Sequence, residues 1–206
     1  METIVYIEGF NLYYGVLKDT PYRWLDPAKL CQHLLPPNRI CRIKYFTAKV
    51  QARPNDPHGP THQEMYFRAL RTVSDLEIIL GHFLANPVRL PLRDGSGFAE
   101  VIRTEEKGSD VNIATHLVFD AFKQRFETAV LITNDSDLQE PVRIVTQELG
   151  LKVGVISPLR GTRRTSRALA QHATFVKRIR RGVLKASQFP DRLSDAVGRF
   201  RKPSGW

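Results

Sequence analysis

Residues 3–9 read Thr-Ile-Val-Tyr-Ile-Glu-Gly, an apolar run that ends in a carboxylate and then a glycine. A continuous run of apolar and β-branched residues is typical of a strand buried on both faces of a parallel sheet. The glycine allows a close turn into the helical pattern that follows. A second run of this kind, Thr128 to Thr133, leads directly into Asn134-Asp135-Ser136-Asp137. The two runs predict strands of an open α/β sheet.

The rest of the chain extends this pattern into alternating strands and helices. Apolar residues recur at helical spacing in several segments, the clearest being the one from Val111 to Ala121. Short links between strands and helices favour right-handed crossovers and a parallel sheet covered on both faces. We therefore predict an α/β fold, a three-layer α/β/α sandwich with a mostly parallel five-stranded sheet. Its predicted strands are residues 3–8, 39–49, 76–83, 128–133 and 152–156.

One segment departs from the alternation. Val88 to Leu92 and Phe98 to Thr104 flank Asp94-Gly95-Ser96-Gly97. Turn residues between two strand-like runs indicate a β-hairpin. The sequence therefore predicts a hairpin excursion from the main sheet, just before the helix that begins near Asp110.

The charge of the chain is unevenly distributed. The formal net charge is +10 over 206 residues. Residues 1–150 hold 17 Lys and Arg against 19 Asp and Glu, whereas residues 151–206 hold 14 against 2. A basic segment of this kind favours a polyanionic partner, and nucleic acid is the commonest one. The alternative is a solubilising or disordered basic tail.

Several classes of protein do not fit the sequence. No stretch approaches the roughly 20 apolar residues of a membrane span, and Met1-Glu2-Thr3 lacks the basic start of a secretory signal. We expect a cytoplasmic protein with no membrane partner. Cys31 and Cys41 have neither zinc-ligand spacing nor enough partners for a disulfide framework. Neither a P-loop nor a dinucleotide-binding glycine motif is present.

Carboxylates follow the predicted strands where ligands bind in open α/β sheets. Glu8 ends the first strand, Asp135 and Asp137 follow the fourth, and Asp110 lies in the first turn of a predicted helix. Acids gathered at one edge repel one another unless a cation lies between them, and hard oxygen ligands suit Mg²⁺ or Mn²⁺. Taken singly, Asp110 could instead favour the helix dipole, and Asp137 could be a helix cap.

Three blocks of sequence resemble the signature of the NYN domain, a branch of the PIN-like nuclease superfamily. They are Ile7-Glu8-Gly9-Phe10-Asn11-Leu12-Tyr13-Tyr14, Lys107-Gly108-Ser109-Asp110-Val111-Asn112 and Leu131-Ile132-Thr133-Asn134-Asp135-Ser136-Asp137-Leu138. The resemblance implies a sheet of order 3-2-1-4-5 and metal-dependent cleavage of RNA. It implies metal-binding carboxylates at Glu8, Asp110, Asp135 and Asp137, with Asn11 supporting the site.

The first block departs from the family pattern. The family's first acid is ordinarily aspartate in an Asp-Gly-x-Asn block, and this chain has Glu8. The extra methylene moves the carboxylate by about 1.5 Å, whereas catalytic constellations tolerate errors of only about 0.5 Å. Either the backbone compensates, or the metal site is altered and its activity weakened.

Basic and hydroxyl side chains near the acids are candidate substrate-binding groups. Lys107 precedes the acidic helix and could neutralise a phosphate, with an ordinary solvated lysine as the alternative. Ser136 could orient a water or a ligand, although such hydroxyls are often backbone caps. Arg160, Arg163 and Arg164 follow the fifth strand and fall at the same edge as the acids, where they could contact an RNA backbone. Further along the basic segment, Phe175 and Phe189 are the main candidates for base stacking.

These observations define the expected domains and function. We predict an NYN nuclease domain over residues 1–160. Residues 161–189 are a basic part that completes the domain or forms an RNA-binding arm, and residues 190–206 are a flexible tail. The expected function is a Mg²⁺- or Mn²⁺-dependent ribonuclease, acting as an endonuclease on single-stranded or structured RNA. The alternative is a non-catalytic RNA-binding or scaffold module with a degenerate site, and the sequence leaves homo-oligomer formation open.

Overall fold

The computed structural model describes residues 1–52, 54 and 56–206. The strands of this part of the chain are β1 (Glu2–Glu8), β2 (Arg39–Thr47), β3 (Leu76–Leu80), β4 (His82–Pro91), β5 (Phe98–Lys107), β6 (Thr128–Ile132), β7 (Lys152–Ser157), β8 (Phe175–Arg178), β9 (Arg192–Asp195) and β10 (Gly198–Arg201). Its α-helices are α1 (Gly9–Leu12), α2 (Pro27–Leu34), α3 (Gly59–Arg71), α4 (Ser109–Phe122), α5 (Gln139–Arg143), α6 (Arg167–His172) and α7 (Arg181–Ala186). Helix α1 continues as a π-helical turn over Tyr13–Leu17, and α5 lies between a 3₁₀ turn at Ser136–Leu138 and a π-helical turn at Ile144–Glu148.

The central sheet has six strands in the order β3-β2-β1-β6-β7-β8. Every neighbouring pair in it is parallel. The predicted fold class and the order of the first five strands are confirmed, but the predicted count of five was wrong. Strand β8 was missed because it has four residues, of which Lys177 and Arg178 are exposed. Its Phe175 ring packs over Gly154 of β7, where a Cβ would lie 2.1 Å from the ring.

Helices cover both faces of this sheet. Along β1, Val5 and Ile7 face a core shared with α2, α3 and α7, and that core includes Leu30, Phe67 and Leu184. Ile4 and Tyr6 face the opposite core, which α4 and α5 close with residues such as Leu117 and Val142. The strand is therefore apolar throughout because each of its faces meets a helical layer.

The predicted hairpin is formed by β4 and β5. The two strands pair antiparallel from His82 with Lys107 to Pro91 with Phe98, outside the central sheet. The chain leaves the central sheet at Gly81, whose N–H donates to the Thr47 carbonyl, so β3 ends earlier than the predicted residue 83. A Cβ at Gly81 would lie 2.5 Å from the Lys107 carbonyl, so glycine lets the two ends of the hairpin meet.

The residues after position 160 contribute to the same body. Residues 161–189 supply α6, β8 and α7. Residues 190–206 form the antiparallel β9–β10 hairpin, and Trp206 packs edge-on against the buried Trp24 ring at 6.2 Å. The predicted domain boundaries and the predicted flexibility of this last segment stay predictions. No helix in the described ranges is both long and apolar enough to span a bilayer.

Candidate metal centre

Three carboxylates meet at the carboxyl edge of the central sheet. Glu8 ends β1, Asp135 lies three residues beyond the end of β6, and Asp110 is in the first turn of α4. Strands β1 and β6 are parallel neighbours, so both end at the same edge. One oxygen from each of the three side chains lies within 4.8 Å of the others. The structure thus brings together three of the four predicted metal ligands.

The start of α4 positions Asp110. Gly108 precedes the helix with a φ of +98°, in the left-handed region that disfavours residues with a side chain. Glu106 then caps the helix, because its Oε1 accepts hydrogen bonds from Ser109 N at 3.3 Å and Ser109 Oγ at 2.9 Å. Glu106 was not among the predicted site residues. Its role depends on a tight turn that sequence spacing does not reveal.

Thr133 and Asn134 fix the end of β6 beside Glu8. The Thr133 hydroxyl donates to the Glu8 carboxylate and accepts from Asp135 N at 2.9 Å. The N–H of Asn134 donates to Asn11 Oδ1 at 3.0 Å. Asn11 therefore braces the strand end that carries Asp135, as a supporting residue would. Asn134 itself was not among the predicted site residues.

The side chain of Asn134 also connects the centre to the loop after β7. Its Oδ1 accepts from Ser166 N at 2.9 Å and from Ser157 Oγ at 3.2 Å. Residues 158–166, the basic loop, are thereby tied to the same strand end as the acids. In the sequence, Asn134 is an asparagine between the end of a strand and an acid. Asparagine is common in turns of many kinds, so this position did not identify its role.

Two of the three acids have a raised pKa. Burial raises the pKa of Glu8 to about 7, with further contributions from the charges of Asp110 and Asp135, against the lowering effect of the Thr133 and Asn11 hydrogen bonds. Burial and the charge of Asp135 raise the pKa of Asp110 to about 6. Three partly buried carboxylates are unfavourable as a set of bare charges. The donor set therefore fits a hard divalent cation held by oxygen ligands.

The remaining predicted ligand and substrate-binding residues lie around this group. Asp137 is exposed in the 3₁₀ turn, outside the group of three, and its N–H donates to Asp135 Oδ1 at 3.0 Å. Ser136 is exposed at the start of that turn. Lys107 Nζ lies 2.8 Å from a Glu105 oxygen on the same strand. A phosphate-binding role for Lys107 and Ser136 stays a prediction.

The arginines of the basic loop differ in what is known of their contacts and exposure. The Arg160 guanidinium donates to the Lys18 carbonyl, so it reaches toward the turn after α1. Arg163 and Arg164 are exposed. Of the two proposed stacking residues, Phe189 is buried against Trp24 at 5.8 Å, so the expectation was wrong for this ring, which belongs to the core. Phe175 is partly buried and packs over Gly154.

Aromatic rings next to the acids were not predicted. Phe10 lies two residues after Glu8 and stacks on Tyr14, with ring centroids 6.4 Å apart and planes at 26°. Phe83, at the base of the hairpin, meets Phe10 edge-on at 5.5 Å. The Tyr14 side chain is the most open of these, at 54% exposed. The sequence feature that could have revealed this pair is the four-residue spacing of Phe10 and Tyr14, because residues four apart lie on one face of a helix.

Comparison with known proteins gives a matching family, a curated relative and a similar solved structure. The sequence model of the NYN domain family matches residues 2–179. A curated relative is 6-hydroxy-3-succinoylpyridine 3-monooxygenase HspA from Pseudomonas putida (strain DSM 28022 / S16), 31% identical over 238 aligned positions that cover 100% of this chain and 75% of the relative. A crystal structure of a protein of unknown function from Vibrio parahaemolyticus has a TM-score of 0.57 at 21% identity, covering 87% of this chain and 93% of that one. This last likeness concerns the fold alone.

Proposed function

The chain belongs to the NYN domain family, and from that premise we propose that it is a metal-dependent ribonuclease that hydrolyses phosphodiester bonds in RNA. The observation that carries the proposal is the convergence of Glu8, Asp110 and Asp135 within 4.8 Å at the carboxyl edge of the sheet. Ligands of open α/β folds bind at this edge. The surplus of basic residues after position 150 supports a polyanionic substrate.

Glu8, Asp110 and Asp135 would hold the cation, which is Mg²⁺ or Mn²⁺, and Asp137 is the weaker fourth candidate. When bound, the cation supplies charge stabilisation at the scissile phosphate and a lowered pKa for an attacking water. Thr133 fixes the direction of the Glu8 carboxylate by its hydrogen bond. The turn capped by Glu106 holds Asp110 toward the other two acids.

Substrate binding would use the positive groups around the centre. Arg160, Arg163 and Arg164 contact phosphates on either side of the scissile bond, and Lys107 and Ser136 contact the phosphate that is cleaved. Phosphate contacts position a nucleic acid without reading its sequence. The proposed mode is endonucleolytic, so a circular RNA without ends is cleaved as well as a linear one.

The first experiment is cleavage of a panel of labelled RNAs in Mg²⁺, Mn²⁺ and EDTA. The panel contains linear, hairpin and circular molecules. We expect cleavage of linear and circular RNA with either cation and none in EDTA. Equal cleavage in EDTA would reject the metal-dependent mechanism. Binding of RNA with no cleavage under any condition would favour the alternative, a scaffold whose site is disabled by Glu8.

A second candidate function comes from the name of the Pseudomonas relative, which is that of a monooxygenase. The observation that favours it is the 31% identity over the whole of this chain. A monooxygenase inserts one atom of O₂ and reduces the other to water, so the assay supplies O₂ and a reduced nicotinamide or flavin cofactor. An oxygenated product from 6-hydroxy-3-succinoylpyridine, with no RNA cleavage, would favour this function over the nuclease.

A further inference from the structure

A basic groove lies between the turn after α1 and the β8–α7 segment. It encloses about 1200 Å³ and has apolar residues such as Val16 and Ile179 along its floor. Asp19 is the one acid among the described residues that line it. Its cationic side chains are Arg160, Lys177, Arg178, Arg180 and Arg181.

No carboxylate of the described residues lies within 4.0 Å of these five cations. Where they make hydrogen bonds, the acceptors are uncharged. Lys177 Nζ donates to the Leu34 carbonyl at 2.8 Å, and Arg178 donates to the Gly161 carbonyl at 2.9 Å. The groove therefore carries a positive charge that the protein does not neutralise, which favours an anion with several charges.

A line of side chains connects the metal centre to this groove. Helix α1 begins directly after Glu8 and carries Phe10, whose ring stacks on Tyr14 of the π-helical turn that follows. Lys18 Nζ lies 5.4 Å from the centre of the Tyr14 ring. The Lys18 carbonyl accepts from Arg160, which lines the groove. The exposed Tyr14 ring therefore contacts Phe10, two residues after Glu8, and Lys18, whose carbonyl contacts a residue of the groove.

We propose that this line, from Phe10 and Tyr14 to the basic groove, is the binding track for single-stranded RNA next to the scissile bond. The proposal rests on the proposed function of the metal centre. A base stacks on Tyr14, and the phosphates that follow occupy the groove. Exposed aromatic rings combined with a basic channel are how proteins hold single strands, because a duplex has no free base face to offer. A lone nucleotide would not need both features.

The test is direct binding of fluorescent RNA to the full chain carrying Asp110→Asn in EDTA, so that cleavage plays no part. Tyr14→Ala should weaken binding of a single-stranded 12-mer by about 5- to 150-fold, while Tyr14→Phe should retain it. Arg180→Gln with Arg181→Gln should lower the salt slope by about 0.7 for each phosphate that the groove no longer neutralises. The matched control is Lys123→Gln with Lys152→Gln, two exposed cations at the opposite edge of the sheet, which should change neither quantity. Melting temperatures confirm that each variant is folded.

The outcomes separate this proposal from the nuclease assignment. If the unmodified chain cleaves RNA but the Tyr14 and groove variants bind as tightly as their parent, the track is wrong and the nuclease stands. If the variants lose binding as expected but the unmodified chain never cleaves, the track stands and the nuclease is wrong. Tighter binding of a blunt duplex than of the single strand, or displacement by an equal concentration of mononucleotide, would overturn the track.

Discussion

At the level of single residues, the raised pKa of Glu8 makes the stability of the metal-free protein depend on pH. In the folded protein the Glu8 carboxyl group has a pKa of about 7, above its ordinary value of 4.5. The folded state therefore binds more protons than the unfolded state between these values, so stability is lost as the pH rises through this window. From pH 5 to pH 8, the loss attributable to Glu8 is on the order of 2 to 3 kcal/mol.

The variant Glu8→Gln has no carboxyl group at this position and should lose that part of the pH dependence. The measurement is urea unfolding of both proteins in EDTA at pH 5 and pH 8. Mg²⁺ added at pH 8 should stabilise the parent more than the variant, because a ligand that binds only the folded state raises its stability. If the free energy of unfolding of the two proteins changed equally between pH 5 and pH 8, the raised pKa of Glu8, and the burial and charge repulsion that explain it, would be contradicted.

A second residue-scale prediction concerns the buried ion pair of Lys44 and Asp120. Asp120 is fully buried, and burial alone would raise its pKa, but hydrogen bonds from Lys44, Tyr6 and Arg125 together hold the pKa below its ordinary value. Lys44→Met should destabilise the fold by about 3 to 5 kcal/mol, since it leaves a buried charge without its main partner. Urea unfolding measures this loss.

The control for that prediction removes both charges. Lys44→Met combined with Asp120→Leu and Tyr6→Phe should recover most of the lost stability, because apolar side chains of similar volume often replace a buried ion pair without cost. The change at Tyr6 is needed because its buried hydroxyl donates to Asp120 and would otherwise lose its acceptor. A combined variant as unstable as Lys44→Met alone would show that the damage comes from packing. The sequence could not reveal this pair, since its members are 76 positions apart and Lys44 lies within an apolar run.

At the level of elements, sequence patterns predicted the bounds of an element well wherever a whole face of it is buried. The runs at 3–8 and 128–133 predicted β1 and β6 nearly to the residue because both faces of each strand meet helices. Strand β8 was not predictable, because an edge strand buries few side chains. Its exposed Lys177 and Arg178 follow the pattern of an ordinary surface segment. The stacking role predicted for Phe189 was wrong, because this ring is buried in the core although it lies in a basic segment of the sequence.

The β4–β5 hairpin leads to an element-scale prediction about folding. Few of its residues are buried, and it pairs with no strand of the central sheet. Replacing residues 85–104 by Asn-Gly keeps the pair Leu84 and Glu105 and closes it with a tight turn. The free energy of unfolding should change by less than about 1 kcal/mol, because the contacts of Phe83 and Glu106 are retained. A loss of several kcal/mol would show that the hairpin supports the body of the fold.

At the level of the whole molecule, the same hairpin bears on self-association. It exposes large apolar side chains, namely Leu84, Leu90, Leu92, Phe98, Val101 and Ile102. An isolated two-stranded ribbon is marginally stable in water, and exposed apolar patches mark interaction sites. If the chain forms a homo-oligomer, light scattering should give more than one chain's mass for the full protein and one chain's mass for the shortened variant. If the full protein and the shortened variant contained the same number of chains, the hairpin would not be part of the contact between copies.

The position of the three clustered acids, the candidate metal centre, followed from the sequence, but its surroundings did not. Neighbouring parallel strands end at one edge, so acids at the ends of two such strands must lie near each other. The basic groove depends instead on how α7 and the turn after α1 pack together, and no spacing in the sequence encodes that contact. The sequence predicted no role for Tyr14, because no pattern in it shows that this ring is exposed.

The proposed function depends on the claim that Glu8, Asp110 and Asp135 hold the cation that enables RNA cleavage. Its most direct test is single-turnover cleavage of one labelled single-stranded RNA in Mn²⁺ by the unmodified chain, by Asp110→Asn and by Asp135→Asn. The control is Asp191→Asn, an exposed acid in the C-terminal segment. We predict that both site variants lose cleavage by at least about 100-fold while they remain folded, and that the control cleaves normally. Full cleavage by either site variant would contradict the claim.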